Sequence, residues 1–424
     1  MKVLQIASGE YASTYGGGQV YVRRLVHTLQ QIQGVEVCVV SPSARKEVKQ
    51  TFLDGVRVYG IPEAGFRNEL AQVIKRVRPD VVHAHGMKAQ AAEVCKAMAI
   101  PCVVTAHHGG ILCPAGALLN DEGRICSCPA SIKCCLGCVL NNIRWGKLAR
   151  PLMRWLPHSL YLKAGKLMNR LPFMPLVTPV AQAACQIQNK LKEWNSLCAN
   201  GDIIIAPSQA IADAMQRNGL IRDKITVIPH GVGIPANAPE YPAVTDGKIK
   251  FYYVGRISYV KGLHVLIKAF MQIPSVNAEL HVIGGTETAS EMRYMEQLQR
   301  ESASDTRIIW HGKQPETEVA EHTKHYHILI NPSICLETFG LNISEALSAG
   351  KWVLSTRCGG AEQQIKEGRN GWLIMADSVN EMKDAMEKIH QNLPACSPAY
   401  KGYIRLEEHA RQVLQAYHHV AEKR

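Results

Sequence analysis

Short apolar runs that close on Gly, His or Pro, each followed by a stretch of helical periodicity, recur in two series along this chain. The first series reads as strands at Lys2–Ser8, Val35–Val40, Pro79–Gly86 and Pro101–Thr105. Between them, Val20–Leu29, Leu70–Val77 and Ala91–Ala99 carry apolar residues at helical spacing. The second series places strands at Lys250–Val254, Glu279–Ile283, Thr306–Trp310, Ile328–Asn331 and Trp352–Ser355, again with helices between. A strand that is followed each time by a helix cannot be a hairpin partner of the next strand. It belongs to a parallel sheet whose crossovers are the helices, so the fold class is α/β and doubly wound. Ligands of such sheets bind beyond the carboxyl ends of the strands, which is where this chain concentrates Gly and His.

With 424 residues, the chain is too long for one ordinary core and suits two domains. After Thr105 the alternation breaks. Cys113–Cys138 reads as a loop, and Asn141–Leu191 as helical pieces divided by Pro151, Pro157, Pro172, Pro175 and Pro179. Order resumes at Asp202–Ser208 and Ile225–Pro229, and the Pro-rich stretch from Pro235 to Pro242 reads as a linker. The expected domains are therefore 1–235 and 236–400, with a final helix in 401–424, read at Tyr403–Glu422. Charged residues are 20% and hydrophobic ones 46%, a globular balance that excludes a disordered chain. No window approaches the ~18 uninterrupted apolar residues of a membrane span. The opening residues read as a first strand and not as a signal peptide, so the expected location is cytoplasmic.

The net charge of +12 is not spread evenly. Between Gly123 and Lys192 there is no Asp or Glu, and the stretch carries Arg124, Lys133, Arg144, Lys147, Arg150, Arg154, Lys163, Lys166, Arg170, Lys190 and Lys192. Leu152, Met153, Trp155, Leu156, Leu160, Tyr161 and Leu162 lie among these cations. Cations beside aromatic and leucine side chains suit a helix lying on an anionic membrane surface, each cation adding roughly 1 kcal/mol there. The expected partner of segment 124–192 is therefore a lipid surface at the inner face of the cell membrane. The other reading is ordinary core packing with a solvated basic face. No nucleic-acid motif accompanies the charge, so nucleic acid is not expected.

Fourteen cysteines divide into two groups. Eight are scattered, mostly in apolar stretches, where cysteine serves as a small hydrophobe. Cys113, Cys126, Cys128, Cys134, Cys135 and Cys138 crowd together, and in a reducing compartment such crowding suggests metal before disulfide. Cys135 and Cys138 have zinc-ligand spacing. With Cys113 and Cys126 they can close a four-thiolate site for a structural zinc, an iron–sulfur cluster being the lesser alternative. Reduced thiols lining a small loop core are the competing reading.

Four segments carry the chemistry. Gly255–Gly262 (GRISYVKG) follows a strand and precedes a helix, read at Leu263–Phe270; Arg256 can fork onto phosphate oxygens and Lys261 adds a point charge, which suits a diphosphate. Glu337–Glu345 (ETFGLNISE) sets two carboxylates across a loop–helix junction, with Phe339, Gly340 and Leu341 offering N–H groups to an anion. Gly359-Gly360 before Glu362, and Pro229–Gly233 (PHGVG), are glycine turns after strands. Taken singly, each is consistent with an ordinary turn.

Together, and in this order, these segments resemble the family-four retaining glycosyltransferases of GT-B fold. That family carries G-R-hydrophobic-x-x-x-K-G, present here at Gly255–Gly262, and E-x7-E enclosing F-G-hydrophobic, present at Glu337–Glu345. The strand Pro79–Gly86 (PDVVHAHG), the turn Thr105–His107 and the glycines Gly16, Gly17 and Gly18 look like its first-domain signatures. Two departures stand out. His230 and Gly233 replace residues of the family's N-G-V-D turn, and Glu362 comes one place early in G-G-x-P-E, with Gln363 in the acid's place.

The resemblance implies two Rossmann-like domains facing a cleft, the first binding the acceptor, the second the nucleotide sugar, with the terminal helix crossing back to the first. It implies transfer of a hexose-type sugar from a UDP- or GDP-linked donor to a glycan or a polyprenyl- or lipid-linked acceptor, as in surface-polysaccharide or lipopolysaccharide assembly. Arg256 and Lys261 would hold the diphosphate in place of a divalent metal, so catalysis requires no cofactor. Glu345 would bond the ribose, and Glu337 with the N–H groups around Phe339, Gly340 and Leu341 would orient the sugar. Gly17 and Gly18 would approach the donor, and His107 would reach the sugar or acceptor. An inactive GT-B partner subunit, or a GT-B enzyme acting on a sugar phosphate, remain alternatives from the sequence.

Overall fold

The computed structural model describes residues 1–12, 17–43, 48–143, 146–149, 177–233, 241–244, 247–274 and 277–423. By contacts the chain forms two compact units. One holds Met1–Ser13, Gly18–Ile228 and Gln412–Arg424; the other holds Thr14–Gly17 and Pro229–Arg411. Arg144, Arg150, Arg154, Lys163, Lys166 and Arg170, the apolar residues Leu152–Leu162 among them, Gly16, and most of the stretch expected as a linker lie outside the described residues.

The first unit is built on eight strands: β1 (Lys2–Ile6), β2 (Glu36–Ser43), β3 (Lys49–Leu53), β4 (Val56–Pro62), β5 (Val81–Ala84), β6 (Cys102–Thr105), β7 (Ile203–Ala206) and β8 (Ile225–Val227). Their order is β3-β4-β2-β1-β5-β6-β7-β8, and every pairing except β3 with β4 is parallel. Val3, Leu4, Ile6, Val81, Val82, Val103 and Val104 are completely buried, as apolar runs covered on both faces must be. The chain leaves β1 for β2 on one side and returns to β5 on the other. The strand order therefore reverses at β1, and the crevice beyond β1 and β5 is the place such a sheet offers a ligand.

The second unit has β10 (Ile249–Val254), β11 (Ala278–Ile283), β12 (Ile308–Gly312), β13 (Ile328–Asn331), β14 (Trp352–Thr356) and β15 (Gly371–Ile374) in the order β12-β11-β10-β13-β14-β15, all parallel. Here the order reverses at β10, between β11 and β13. A separate two-stranded parallel pair joins β9 (Gly231–Val232) to β16 (Ile404–Arg405). The final helix, Leu406–Glu422, begins among residues of the second unit and continues from Gln412 with the first. Val413, Tyr417 and Val420 on it are buried.

Two expectations are corrected, and one hairpin was missed. The loop expected over Cys113–Cys138 contains the start of a helix, Ile132–Asn141, which takes Cys134, Cys135 and Cys138; Ser131 caps it, accepting from the Cys134 N–H at 3.2 Å. Its apolar face, Leu136, Val139 and Leu140, packs on Val180, Ala183 and Ile187. Those belong to one 24-residue helix, Val177–Asn200, in which Pro179 is the third residue and breaks nothing, because a first-turn residue has no intrahelical N–H bond to lose. The hairpin β3–β4 was not expected; it turns at Asp54-Gly55, both at positive φ. Among the described residues no helix is long and apolar enough to cross a membrane.

Candidate active site

The reversal point of the second sheet gathers the motif residues. β10 ends at Val254, and the motif loop 255–262 leads into the helix Leu263–Met271. Ile257 N–H donates to Gly285 O at 2.8 Å, which ties this loop to the one after β11. Gly262 sits at φ 71°, and a Cβ there would fall 1.9 Å from the carbonyl oxygen of Pro332. Only glycine lets the loop press against the segment that follows β13, and that segment carries Ser333 and Glu337.

Across this contact Lys261 Nζ donates to Glu337 Oε1 at 2.5 Å, and Ser333 Oγ donates to the same oxygen at 2.6 Å. The Lys261 side chain is 28% exposed and that of Glu337 11%. Burial alone would raise the pKa of Glu337; the charge of Lys261, the two hydrogen bonds and the charge of Arg256 outweigh it and hold the carboxyl below its usual range. Burial pulls the Lys261 ammonium down, and Glu337 outweighs that and holds it above its usual value. Arg256 is half-exposed, its Nη1 3.2 Å from Glu287 and 3.5 Å from Glu291.

The loop of the second motif is held by a residue that motif reading missed. Gln364 Nε2 donates to the carbonyls of Phe339 at 2.5 Å, Gly360 at 3.2 Å and Gly340 at 3.4 Å, and its Oε1 accepts from Ser344 Oγ at 2.5 Å. Gly360 makes room for this, since a Cβ would lie 2.3 Å from Phe339 O. Glu362 turns back on its own helix, accepting from Gly359 N–H at 2.7 Å, so it caps. Gly340 at φ 84° starts the helix Leu341–Ser348, which carries Glu345. Burial first, and the charge of Glu345 second, raise the phenol of Tyr252 on β10. His230 is buried edge-on against Phe339, ring centroids 5.4 Å apart, and burial with the nearby His409 pulls its pKa well below the usual value, so it is neutral. Glu287, Glu291 and Gln364 carried no motif signal; only the Thr288–Glu291 spacing was legible, as a helix cap.

The other expected residues belong elsewhere. Gly17 and Gly18 open the helix Gly17–Gln30, and a Cβ on Gly18 would come within 3.2 Å of Ser8 Oγ. His107 follows β6 in the first unit, its Nε2 2.8 Å from His85 Nδ1. Of the six clustered cysteines, Cys128 and Cys134 form a disulfide, Cα atoms 6.4 Å apart, where metal had been expected before disulfide. Cys113, Cys126, Cys135 and Cys138 are thiols close enough to feel one another; burial foremost pushes Cys135 and Cys138 up to about 11. Among the described residues no group of three or more His, Cys, Asp or Glu is placed to hold a metal ion.

Comparison with known proteins agrees with this geometry. The family described as "Glycosyl transferases group 1" matches residues 238–413, and "Glycosyltransferase Family 4" matches residues 15–125. A D-inositol 3-phosphate glycosyltransferase of Arthrobacter sp. (strain FB24) is 28% identical over 191 residues, covering 42% of this chain and 44% of that protein. A putative colanic acid biosynthesis glycosyltransferase of Escherichia coli (strain K12) is 24% identical over 207 residues, covering 47% and 50%. The chain thus spans about half the length of the curated relatives it matches. Among solved structures, a sucrose-phosphate synthase from Thermosynechococcus elongatus aligns with a TM-score of 0.64 at 17% identity, over 100% of this chain and 97% of that one. Anabaena HepE, solved with UDP, aligns at 0.59 and 15% identity, over 100% and 98%. Two family assignments in chain order and a fold shared along the full length lead to one conclusion: this chain belongs to the family-four glycosyltransferases of GT-B fold.

Proposed function

We propose that the chain is a retaining transferase moving a hexose-type sugar from a UDP- or GDP-linked donor to a glycan or lipid-linked acceptor at an anionic membrane surface. The observation that carries the donor side is the Lys261–Glu337 contact, 2.5 Å across 76 residues of sequence, at the reversal point of the second sheet. It joins the cation of one motif to the carboxylate of the other, and the charge of Arg256 reaches the same carboxylate. Arg256 and Lys261 hold the diphosphate and stabilise the charge that grows on it as the sugar leaves; these two cations do the work of a divalent metal. Glu337, held ionised, accepts hydrogen bonds from sugar hydroxyls, while the N–H groups at the start of the helix Leu341–Ser348 face the donor. Glu345 takes the ribose, Gly17 and Gly18 approach the donor, and His107 reaches the sugar or acceptor. HepE, a fold neighbour solved with UDP, supports a nucleotide donor. The acid-free basic stretch from Gly123 to Lys192 supports the membrane-bound acceptor.

Calorimetric titration of UDP and of GDP into the metal-free chain, and into Arg256→Ala, tests the donor side. Saturable binding of one nucleotide, weakened tenfold or more in the variant (about 1.4 kcal/mol), is expected. Absence of binding by either nucleotide removes the reading.

A further inference from the structure

Arg256 is tethered at two points, its backbone and its guanidinium. Its carbonyl oxygen accepts from Tyr253 Oη at 2.6 Å, and Tyr253, on β10, is 1% exposed. A carbonyl oxygen only accepts, so the chemistry of the two groups fixes the direction of this bond. The next peptide is held as well, because Ile257 N–H donates to Gly285 O at 2.8 Å. The two loops meet backbone to backbone: a Cβ on Gly284 would fall 2.0 Å from Gly255 O. The Arg256 main chain is therefore pinned from β10 on one side and from the loop after β11 on the other.

At the other end, Nη1 lies 3.2 Å from Glu287 Oε2 and 3.5 Å from Glu291 Oε1. These carboxylates differ in freedom. The Glu291 side chain is 13% exposed, and its second oxygen accepts from the N–H groups of Glu287 at 2.8 Å and Thr288 at 3.1 Å. Thr288 Oγ1 accepts in turn from the Glu291 N–H at 3.2 Å. This capping box opens the helix Ala289–Glu301 and fixes where Glu291 Oε1 points. The Glu287 side chain is 60% exposed, and an exposed ion pair of this kind is weak. A phosphate that takes Nη1 competes first with the weaker partner. It also brings negative charge up to Glu287, which favours their separation.

We propose that Tyr253 is a positioning residue that holds Arg256 in place, and that Glu287 is the partner its guanidinium exchanges for a phosphate group. That this phosphate belongs to a nucleotide sugar rests on the transferase reading; the tethers themselves do not. Tyr253 raises affinity, because ordering Arg256 in advance removes part of the cost of binding. Glu287 acts in the opposite sense: it limits affinity for the diphosphate and speeds its release by taking the guanidinium back.

Phosphorus-31 NMR titrations of pyrophosphate, UDP and GDP with the full chain read affinities into the millimolar range, so weakened variants stay measurable. Glu287→Gln should tighten binding about two- to fivefold, the range of an exposed ion pair. Tyr253→Phe keeps the ring and should weaken binding about fivefold, the loss expected of one hydrogen bond. In an Arg256→Ala background both effects should shrink by more than about half, which neither a general loss of structure nor a change of net charge would produce. Glu287→Gln is a surface change and decides the matter if Tyr253→Phe does not fold. Binding that fails to move in these directions, effects undiminished in Arg256→Ala, or a wild type that does not bind pyrophosphate overturns the inference. If pyrophosphate shows the expected pattern while UDP and GDP bind no more tightly than it does, the transferase reading falls and the exchange at Arg256 stands.

Discussion

Glu337 shows how a single carboxylate links the site to stability. It loses most of its hydration on folding and keeps its charge only because Lys261 and Ser333 meet the same oxygen. Its folded pKa lies below the unfolded value of about 4.3, so the pair stabilises the chain fully above that value and loses its contribution as pH falls through the folded pKa. Denaturant titrations from pH 7 down to pH 3 should show that loss in the wild type and a smaller one in Glu337→Gln. At pH 7 the variant should be about 1–3 kcal/mol less stable, since Lys261 keeps only a neutral acceptor. Arg256 and Lys261 were legible in the sequence because their spacing within one loop is local. Glu287 and Glu291 were not, because what brings them to Arg256 is the adjacency of β10 and β11.

The loops after β10 and β13 are shaped by residues that touch no ligand in the proposed scheme. Gly262→Ala should cost about 1–3 kcal/mol from the positive φ alone, and the approach to Pro332 O adds to it. Differential scanning calorimetry checks this, and a transition within 1–2 °C of wild type would contradict it. Gln364→Ala should leave the Phe339, Gly340 and Gly360 carbonyls without their shared donor and weaken nucleotide binding severalfold, measured by the same calorimetric titration, with Gln364→Glu no better because a carboxylate cannot donate. Most buried parallel strands were read from their apolar runs, but β4 and β15 were not. The hairpin β3–β4 escaped because β3 is an edge strand with polar, exposed residues and Phe52 68% exposed. Its one local signal was Asp54-Gly55. The helix Ile132–Asn141 escaped because cysteines masked its apolar face, Leu136, Val139 and Leu140.

The chain returns at its end to where it began: Val413, Tyr417 and Val420 are buried with the first unit. Deleting 412–424 should therefore lower the denaturant midpoint of the first unit, with loss of the Gln5–Tyr417 and His83–Tyr417 bonds, and the expected outcome is a chain with an early unfolding phase detectable by proteolysis. Unchanged protease resistance would contradict it. The basic stretch makes its own prediction: the chain should sediment with anionic vesicles at low salt and be released as ionic strength rises, and indifference to such vesicles would remove the membrane acceptor from the proposal. Periodicity was enough to establish two parallel α/β sheets, and motif spacing enough to single out Arg256, Lys261, Glu337 and Glu345 as candidate donor-binding residues, because both are local properties of contiguous residues. Folding alone made partners of Lys261 and Glu337, of Gln364 and Phe339, and of Gln5 and Tyr417. Each pair is separated by at least one whole strand–helix unit, and nothing in a linear spacing says which strands lie side by side.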